Sequence, residues 1–292
     1  MGIFSFLGKS NTVYFPGCAS YFKNREIFEL YKKIFSKLGI DFKIIDKKIC
    51  CGLPALEAGY ESQARKLARR NLEIFREEGI TSIITNSPGC YKMFIDNYPS
   101  LLPDWNLEVR NLWKIISEKL RDKPRLIKHK AMEMISFHDN CYLGAYCGIY
   151  DEPREILELI GYQVVEMSDN RENAVCCGSC GGLPRTNLNL AEKIAKERLL
   201  QVKRAKVKKL VVSSVEDYAL LKKQDVGIEV LEISEVLAVA LGIKKKEVEK
   251  SDEEVREEIE GEKRILAETR ANMRLQEEIK EEDYYDSLRR QE

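Results

Sequence analysis

Nine cysteines are grouped rather than scattered along this 292-residue chain: Cys18, Cys50, Cys51, Cys90, Cys141, Cys147, Cys176, Cys177 and Cys180. Two sets share a pattern. In the first, 31 residues separate Cys18 from Cys50-Cys51-Gly52, and 38 separate Cys51 from Cys90. In the second, 34 residues separate Cys141 from Cys176-Cys177-Gly178-Ser179-Cys180. Cysteine groups in a chain without an export signal bind metal or do chemistry more often than they form disulfide frameworks. The side chains of an adjacent Cys-Cys pair tend to diverge, which suits a single small ion poorly and a group of several metal atoms well. Thiolates are the ligands of iron–sulfur clusters, and a glycine after the pair lets the backbone approach without a Cβ. Cys18, Cys50, Cys51 and Cys90 supply the four thiolates one four-iron cluster needs.

Three other readings stay open from the residues alone. Zinc is one, although structural zinc favours Cys-x-x-Cys or Cys/His knuckles, which the first set lacks. Buried thiols acting as small apolar side chains are another. Cys177-Gly178-Ser179-Cys180 is also a Cys-x-x-Cys, so Cys180 reads as an additional ligand or as a redox thiol. His138 stands three residues before Cys141, where it would serve as a donor behind the ligands, as a proton source or in packing. His129 reads as surface or packing. No phosphate-binding loop, covalent-haem motif or dinucleotide fingerprint is present.

The cysteines need elements to carry them, and the sequence supplies these twice. Val13–Phe15, Lys37-Leu38-Gly39-Ile40, Cys50-Cys51-Gly52 and Ile83–Tyr91 each have a counterpart: Ile135–Phe137, Leu159-Ile160-Gly161-Tyr162, Cys176-Cys177-Gly178 and Leu210–Tyr218. A single offset of roughly 125 residues relates them all. The body is therefore a tandem duplication, 11–121 and 135–243. Within the first repeat, Val13–Phe15, Phe42–Ile45 and Thr81–Thr85 are predicted strands. Ile27–Leu38 and Ala64–Phe75 show helical spacing, each followed by a glycine, Gly39 and Gly79. The second repeat is expected to match with Ile156–Ile160, Val164–Val165, Leu190–Leu199 and Leu210–Val212. Alternating strands and helices predict an α/β fold of two tandem, pseudo-symmetric parallel repeats. Ligands of such sheets gather at the carboxyl ends of the strands, and the cysteines follow the strands.

The double pattern resembles the cysteine-rich CCG-domain family, whose motif is Cys, a long spacer, Cys-Cys-Gly, a second spacer and Cys-x-x-Cys, usually present twice. The family includes the cysteine-rich subunits of heterodisulfide reductases, and iron–sulfur subunits of lactate, glycolate and anaerobic glycerol-3-phosphate dehydrogenases. The resemblance implies iron–sulfur ligation by Cys18, Cys50, Cys51 and Cys90, and by Cys141, Cys176 and Cys177. It implies one 4Fe–4S cluster, cubane or non-cubane, with room for a second. The chain departs from the pattern where Ser87 replaces the first cysteine of one closing pair and Ser214 and Asp217 replace the other. Cys180, Cys147 and Asp217 are then candidates for the missing donors of the second set, with oxygen the poorer donor for iron–sulfur irons. Cys180 stands where the family usually has glycine.

Charge and length limit the functions available. The chain has 48 basic and 48 acidic residues, which argues against a protein built to grip nucleic acid. No apolar run reaches the roughly 18–20 residues of a membrane span, and Met1–Leu7 lacks the form of a signal peptide. A cytoplasmic location is expected, with any membrane association made through partners. From Lys244 to Glu292 there are 12 basic and 17 acidic residues, predicting a charged helical or disordered tail. Two functions follow. One is a subunit that reduces a disulfide or related sulfur compound at a cluster. The other is an electron-transfer subunit between a flavoprotein dehydrogenase and a quinone or other carrier. The chain lacks the closely spaced cysteine run of a ferredoxin, so a flavoprotein or ferredoxin-type partner is expected.

Overall fold

The computed structural model of the protein describes residues 10–45 and 49–244. The first half runs β1 (Thr12–Tyr14), a π-helical turn (Ala19–Lys23), α1 (Arg25–Leu38), α2 (Leu53–Glu57), α3 (Glu61–Glu77), β2 (Ser82–Ile84), α4 (Pro88–Lys92), α5 (Tyr98–Leu101), β3 (Glu108–Val109) and α6 (Leu112–Asp122). The second runs β4 (Met134–His138), α7 (Asp151–Leu159), β5 (Gln163–Val164), α8 (Leu183–Thr186), α9 (Leu188–Arg204), β6 (Lys209–Val212), α10 (Val215–Leu221), β7 (Glu229–Glu232) and α11 (Ile233–Ala240). The predicted tail, apart from Lys244, and the reading of Met1–Leu7 lie outside the described residues.

The two sheets share one plan. The second has the order β5-β4-β6-β7 and the first β1-β2-β3, every pairing parallel. The Phe42–Ile45 segment takes the place beside β1 that β5 takes beside β4, but it does not form the predicted strand. Only Lys43 pairs there, accepting from Tyr14 N at 2.9 Å and donating to Thr12 O at 2.8 Å, which leaves an isolated bridge. In both halves the chain steps outward from the first strand and returns to its other side. That reversal opens a crevice at the carboxyl ends of β1 and β2, and again at those of β4 and β6.

The helices form where their apolar residues recur at helical spacing. In α1, Ile27, Phe28, Tyr31, Ile34, Phe35 and Leu38 are buried, the Asn24 side chain accepts from Ile27 N, and Gly39 closes the last turn at φ +69°. The larger core cluster takes side chains from both halves, among them Tyr14, Phe35, Trp113, Phe137, Leu199 and Leu237. Helices cross between halves reciprocally: α1 packs on α11, and α6 packs on α7. Tyr31 of α1 donates a buried hydrogen bond to Glu232 at the start of α11 (2.7 Å).

Candidate metal centres

Each crevice collects four cysteines of its own half. Cys18 follows β1, and Cys90 lies in the first turn of α4 just beyond β2. Cys50 and Cys51 enter from the segment before α2. Gly52, at φ +93°, turns the chain tightly against Ala64 of α3. The Cys90 thiol lies 3.3 Å from Cys51 Sγ, and Cys50 is hydrogen-bonded to Cys18 and to Cys51. The four sulfurs therefore run in a row, Cys18, Cys50, Cys51, Cys90. They form no triple within 4.8 Å among the described residues, an arrangement suited to a group several atoms across. Cys18 is exposed and Cys50 half-buried, while Cys51 and Cys90 are buried.

The protons on this row are unequally shared. Hydrogen bonds from Cys18 and Cys51 lower the Cys50 thiol to about 2, and the same contact with Cys50 raises both neighbours. Behind the row, Asn71 Nδ2 donates to Cys50 O and to Tyr98 Oη, each at 2.8 Å, and Tyr98 Oη donates to Cys51 O at 3.0 Å. This neutral scaffold fixes the backbone of the Cys-Cys pair.

The second crevice repeats the placement with different chemistry. Cys141 follows β4, and Gly178, at φ +91°, packs against Ala191 of α9 as Gly52 packs against Ala64. Cys141, Cys176 and Cys180 converge, their sulfurs all within 4.8 Å and the Cys141–Cys180 pair at 2.7 Å. Cys176 is exposed and its thiol is lowered by hydrogen bonds from Cys141, Cys177 and Cys180. The contact with Cys176 raises Cys177 and takes Cys141 to about 12, while Cys180 is raised first by Cys141 and then by Cys176.

Asp217 stands where Cys90 stands in the first half. Ser87 and Ser214 are the N-caps of α4 and α10, and Cys90 and Asp217 each come three residues later. The Cys177 thiol donates to Asp217 Oδ1 at 3.3 Å, the separation found between Cys90 and Cys51. Asp217 also accepts from Ser179 Oγ and from Asn140 Nδ2 (2.7 Å), and burial pushes its carboxyl up. His138 Nε2 lies 3.7 Å from Asp217 Oδ2. Its Nδ1 accepts from Arg198 Nε at 3.1 Å, and burial, with Arg198 beside it, lowers its pKa to about 3. His138 is thus a neutral imidazole behind Cys177, within one buried triple with that cysteine and Asp217.

Cys147 stands apart from both converging triples. Its charged neighbours are Asp96 and Lys92, and burial raises its thiol to about 12. Sequence reasoning did not single out Asn71, Tyr98 or Arg198. Asn71 and Arg198 occupy matching positions of α3 and α9, seven residues after Ala64 and Ala191, and the offset between the repeats was the signal that pairs them. Asp139 and Arg154 were missed as a pair. Arg154 donates to both Asp139 oxygens at 2.7 and 2.9 Å and to Glu166 at 2.6 and 2.9 Å. Asp139 also accepts from Arg171 N (2.9 Å), which ties down the loop leading to Cys176.

The two centres adjoin. Tyr142, next to Cys141, donates to Glu57 of α2 and accepts from Gly181 N at 3.2 Å. Its ring covers Gly89, beside Cys90, where an added Cβ would meet Leu53 at 2.7 Å.

A cysteine-rich domain model, CCG, matches twice, over residues 12–95 and 135–216. The chain belongs to the cysteine-rich CCG family. It is 34% identical, over 55% of its length, to the probable iron-sulfur-binding oxidoreductase FadF of Bacillus subtilis. It is 29% identical, over 65% of its length, to a subunit of the dihydromethanophenazine:CoB–CoM heterodisulfide reductase of Methanosarcina acetivorans. It is 33% identical, over 58% of its length, to EtfAB:quinone oxidoreductase of Syntrophomonas wolfei. The matches span 23%, 48% and 24% of those proteins, so the chain corresponds to half or less of each. Among the described residues no helix is long and apolar enough to cross a membrane.

The donor sets fit an iron–sulfur group. Each crevice offers four cysteine sulfurs and a tight glycine turn, and beside His138 of the second half Arg198 Nη2 is buried without a hydrogen-bond partner among the described residues.

Proposed function

We propose that the protein is an iron–sulfur redox subunit of the heterodisulfide reductase type, reducing a disulfide or related sulfur substrate within a larger oxidoreductase. The observation that supports this reading is the gathering of eight thiols as two four-sulfur sets at the carboxyl ends of two matched parallel sheets. In this reading the repeats run 11–121 and 135–243. Cys18, Cys50, Cys51 and Cys90 hold a 4Fe–4S cluster in the first. Cys141, Cys176 and Cys177 hold a second in the other repeat, with Cys180 recruited as the fourth thiolate. When bound, such clusters supply one-electron redox chemistry. The chain's own residues hold the thiolates in place: Asn71 and Tyr98 fix the first Cys-Cys backbone, while Asp217 and His138 support Cys177. Cys18 and Cys176 are the exposed edges from which a substrate or partner is met. Electrons come from a flavoprotein or ferredoxin-type partner.

A second reading, electron transfer between a flavoprotein and a quinone or other carrier, is favoured by the likeness to EtfAB:quinone oxidoreductase and by the incomplete closing pairs, Ser87 standing in one and Ser214 and Asp217 in the other. Anaerobic purification with iron, sulfide and zinc analysis tests the cofactor, and EPR before and after adding a thiol or disulfide tests the substrate. Acid-labile sulfide with about four irons per occupied repeat is expected. Stoichiometric zinc without sulfide overturns the cofactor. An EPR signal indifferent to thiols and disulfides, but bleached by an oxidised quinone, favours the second function.

A further inference from the structure

Arg198 is 1% exposed, and an arginine in that position needs its guanidinium satisfied, because it stays charged at any ordinary pH. Nε donates to His138 Nδ1 at 3.1 Å. Nη1 donates to Asp169 O at 2.7 Å and to Gln201 Oε1 at 2.5 Å. Nη2 is buried and has no hydrogen-bond partner among the described residues. A buried charged donor left unmet carries its full desolvation penalty, so the nitrogen is poised for an acceptor that the described residues do not provide. Cys177 is among the groups whose negative charge bears on Arg198, together with Asp139, Asp169 and Asp217. An anionic thiolate-and-sulfide group held by Cys177 would offer that acceptor. The matching position in the first repeat is Asn71, uncharged, whose Nδ2 donates to Cys50 O and Tyr98 Oη. The repeats are therefore wired differently at the same helix position.

We propose that Arg198 is a positioning residue that raises the reduction potential of the second repeat's iron–sulfur group. This rests on the reading that the second repeat holds a cluster. Reduction adds one electron, supplied in a titration by dithionite, to a group that is already anionic. A fixed buried cation stabilises the reduced form more than the oxidised one, because its field is poorly screened there. An N–H to sulfur hydrogen bond from Nη2, were one made to the bound group, would act in the same direction. Asn71 carries no charge and leaves the first repeat's group without that bias.

The test is an EPR-monitored redox titration of the full chain purified anaerobically, with iron and sulfide measured on every sample. In Arg198→Gln one cluster signal is expected to titrate at a lower potential while iron content and the other signal stay as in the wild type. Arg198→Lys keeps the charge and is expected to stay near the wild-type midpoint. Should Arg198→Gln fail to fold, Arg198→Met serves instead. It keeps the long apolar stem that packs in the core and removes only the charged head, so the same downward shift is expected. A wild-type midpoint in an iron-replete Arg198→Gln protein, or in Arg198→Met where it is needed, overturns the role of Arg198. If Cys141→Ser and Cys177→Ser both retain all iron, sulfide and EPR signals, the second repeat holds no cluster. That result overturns the underlying reading and the inference together.

Discussion

Cys90 and Asp217 do the same geometric job with different atoms. Each projects from the first turn of a short helix and meets the buried second cysteine of its pair at 3.3 Å. A thiolate at that place is a strong iron ligand and a carboxylate a weak one, so the two centres depend on their remaining cysteines unequally. Cys51 is buried in the middle of the first row. Cys51→Ser is expected to remove the first repeat's iron, seen as a fall in iron and sulfide and the loss of one EPR signal. It should also lower the denaturation midpoint, since metal binding is coupled to folding. Cys180 meets Cys141 at 2.7 Å and converges with Cys176. Cys180→Ser is therefore expected to cost the second repeat its iron. Full iron retention with loss of disulfide turnover would instead make Cys180 a redox thiol. The two cysteine sets were legible because their spacing repeats. Arg198 was not, because Glu197-Arg198 in the middle of a helix reads as an ordinary solvated pair until the fold turns that face inward.

At the scale of elements, the Cys-Cys-Gly turn depends on a helix that lies almost in contact with it. A Cβ at Gly178 would stand 2.7 Å from Ala191 O, against 3.4 Å from Ala64 O at Gly52, and both glycines have positive φ. A left-handed conformation alone costs an ordinary residue about 1–2 kcal/mol, and overpacking against backbone adds a further 1–3 kcal/mol, roughly. Gly178→Ala is thus expected to destabilise more than Gly52→Ala, compared by urea denaturation of the two holo-proteins, and to lose iron from the second repeat. The alternation of strands and helices could be read from the sequence because α1, α3 and α9 have long periodic faces. The two-residue strand β3 is too short to show a period. Phe42–Ile45 looked like a strand from its apolar residues, yet in the fold only Lys43 reaches a neighbour, since Thr12 and Tyr14 bond to that one residue.

The molecule as a whole is joined by buried contacts between its halves, and one of them titrates. Burial raises the Glu232 carboxyl to about 7, despite hydrogen bonds from Ser234 and Tyr31, with Tyr14, Tyr31 and Glu235 the titratable groups around it. Below about pH 4.5 the folded and unfolded chains both carry this proton. Between there and about pH 7 only the unfolded chain releases it, so this group's contribution to stability declines as pH rises. The loss across that window is on the order of 3 kcal/mol. Glu232→Gln is expected to lack this decline, read as the difference between the wild-type and variant urea midpoints from pH 4.5 to 7.5, a range of about three units, in which groups common to both proteins, such as the buried His138, cancel. A difference that does not change with pH would remove Glu232 as the cause.

The crossing of α1 onto α11 and of α6 onto α7 is the same contact made twice. Contacts of that kind are what two identical subunits make about a two-fold axis. A chain carrying one repeat would cover these faces by pairing with its twin, and this protein is in effect such a homodimer made continuous. A homodimer must accept every substitution at both of its sites together. Fusion lifts that constraint, and it is what allows a cysteine to persist in one half of this molecule while an aspartate, backed by a histidine and an arginine, occupies the corresponding place in the other.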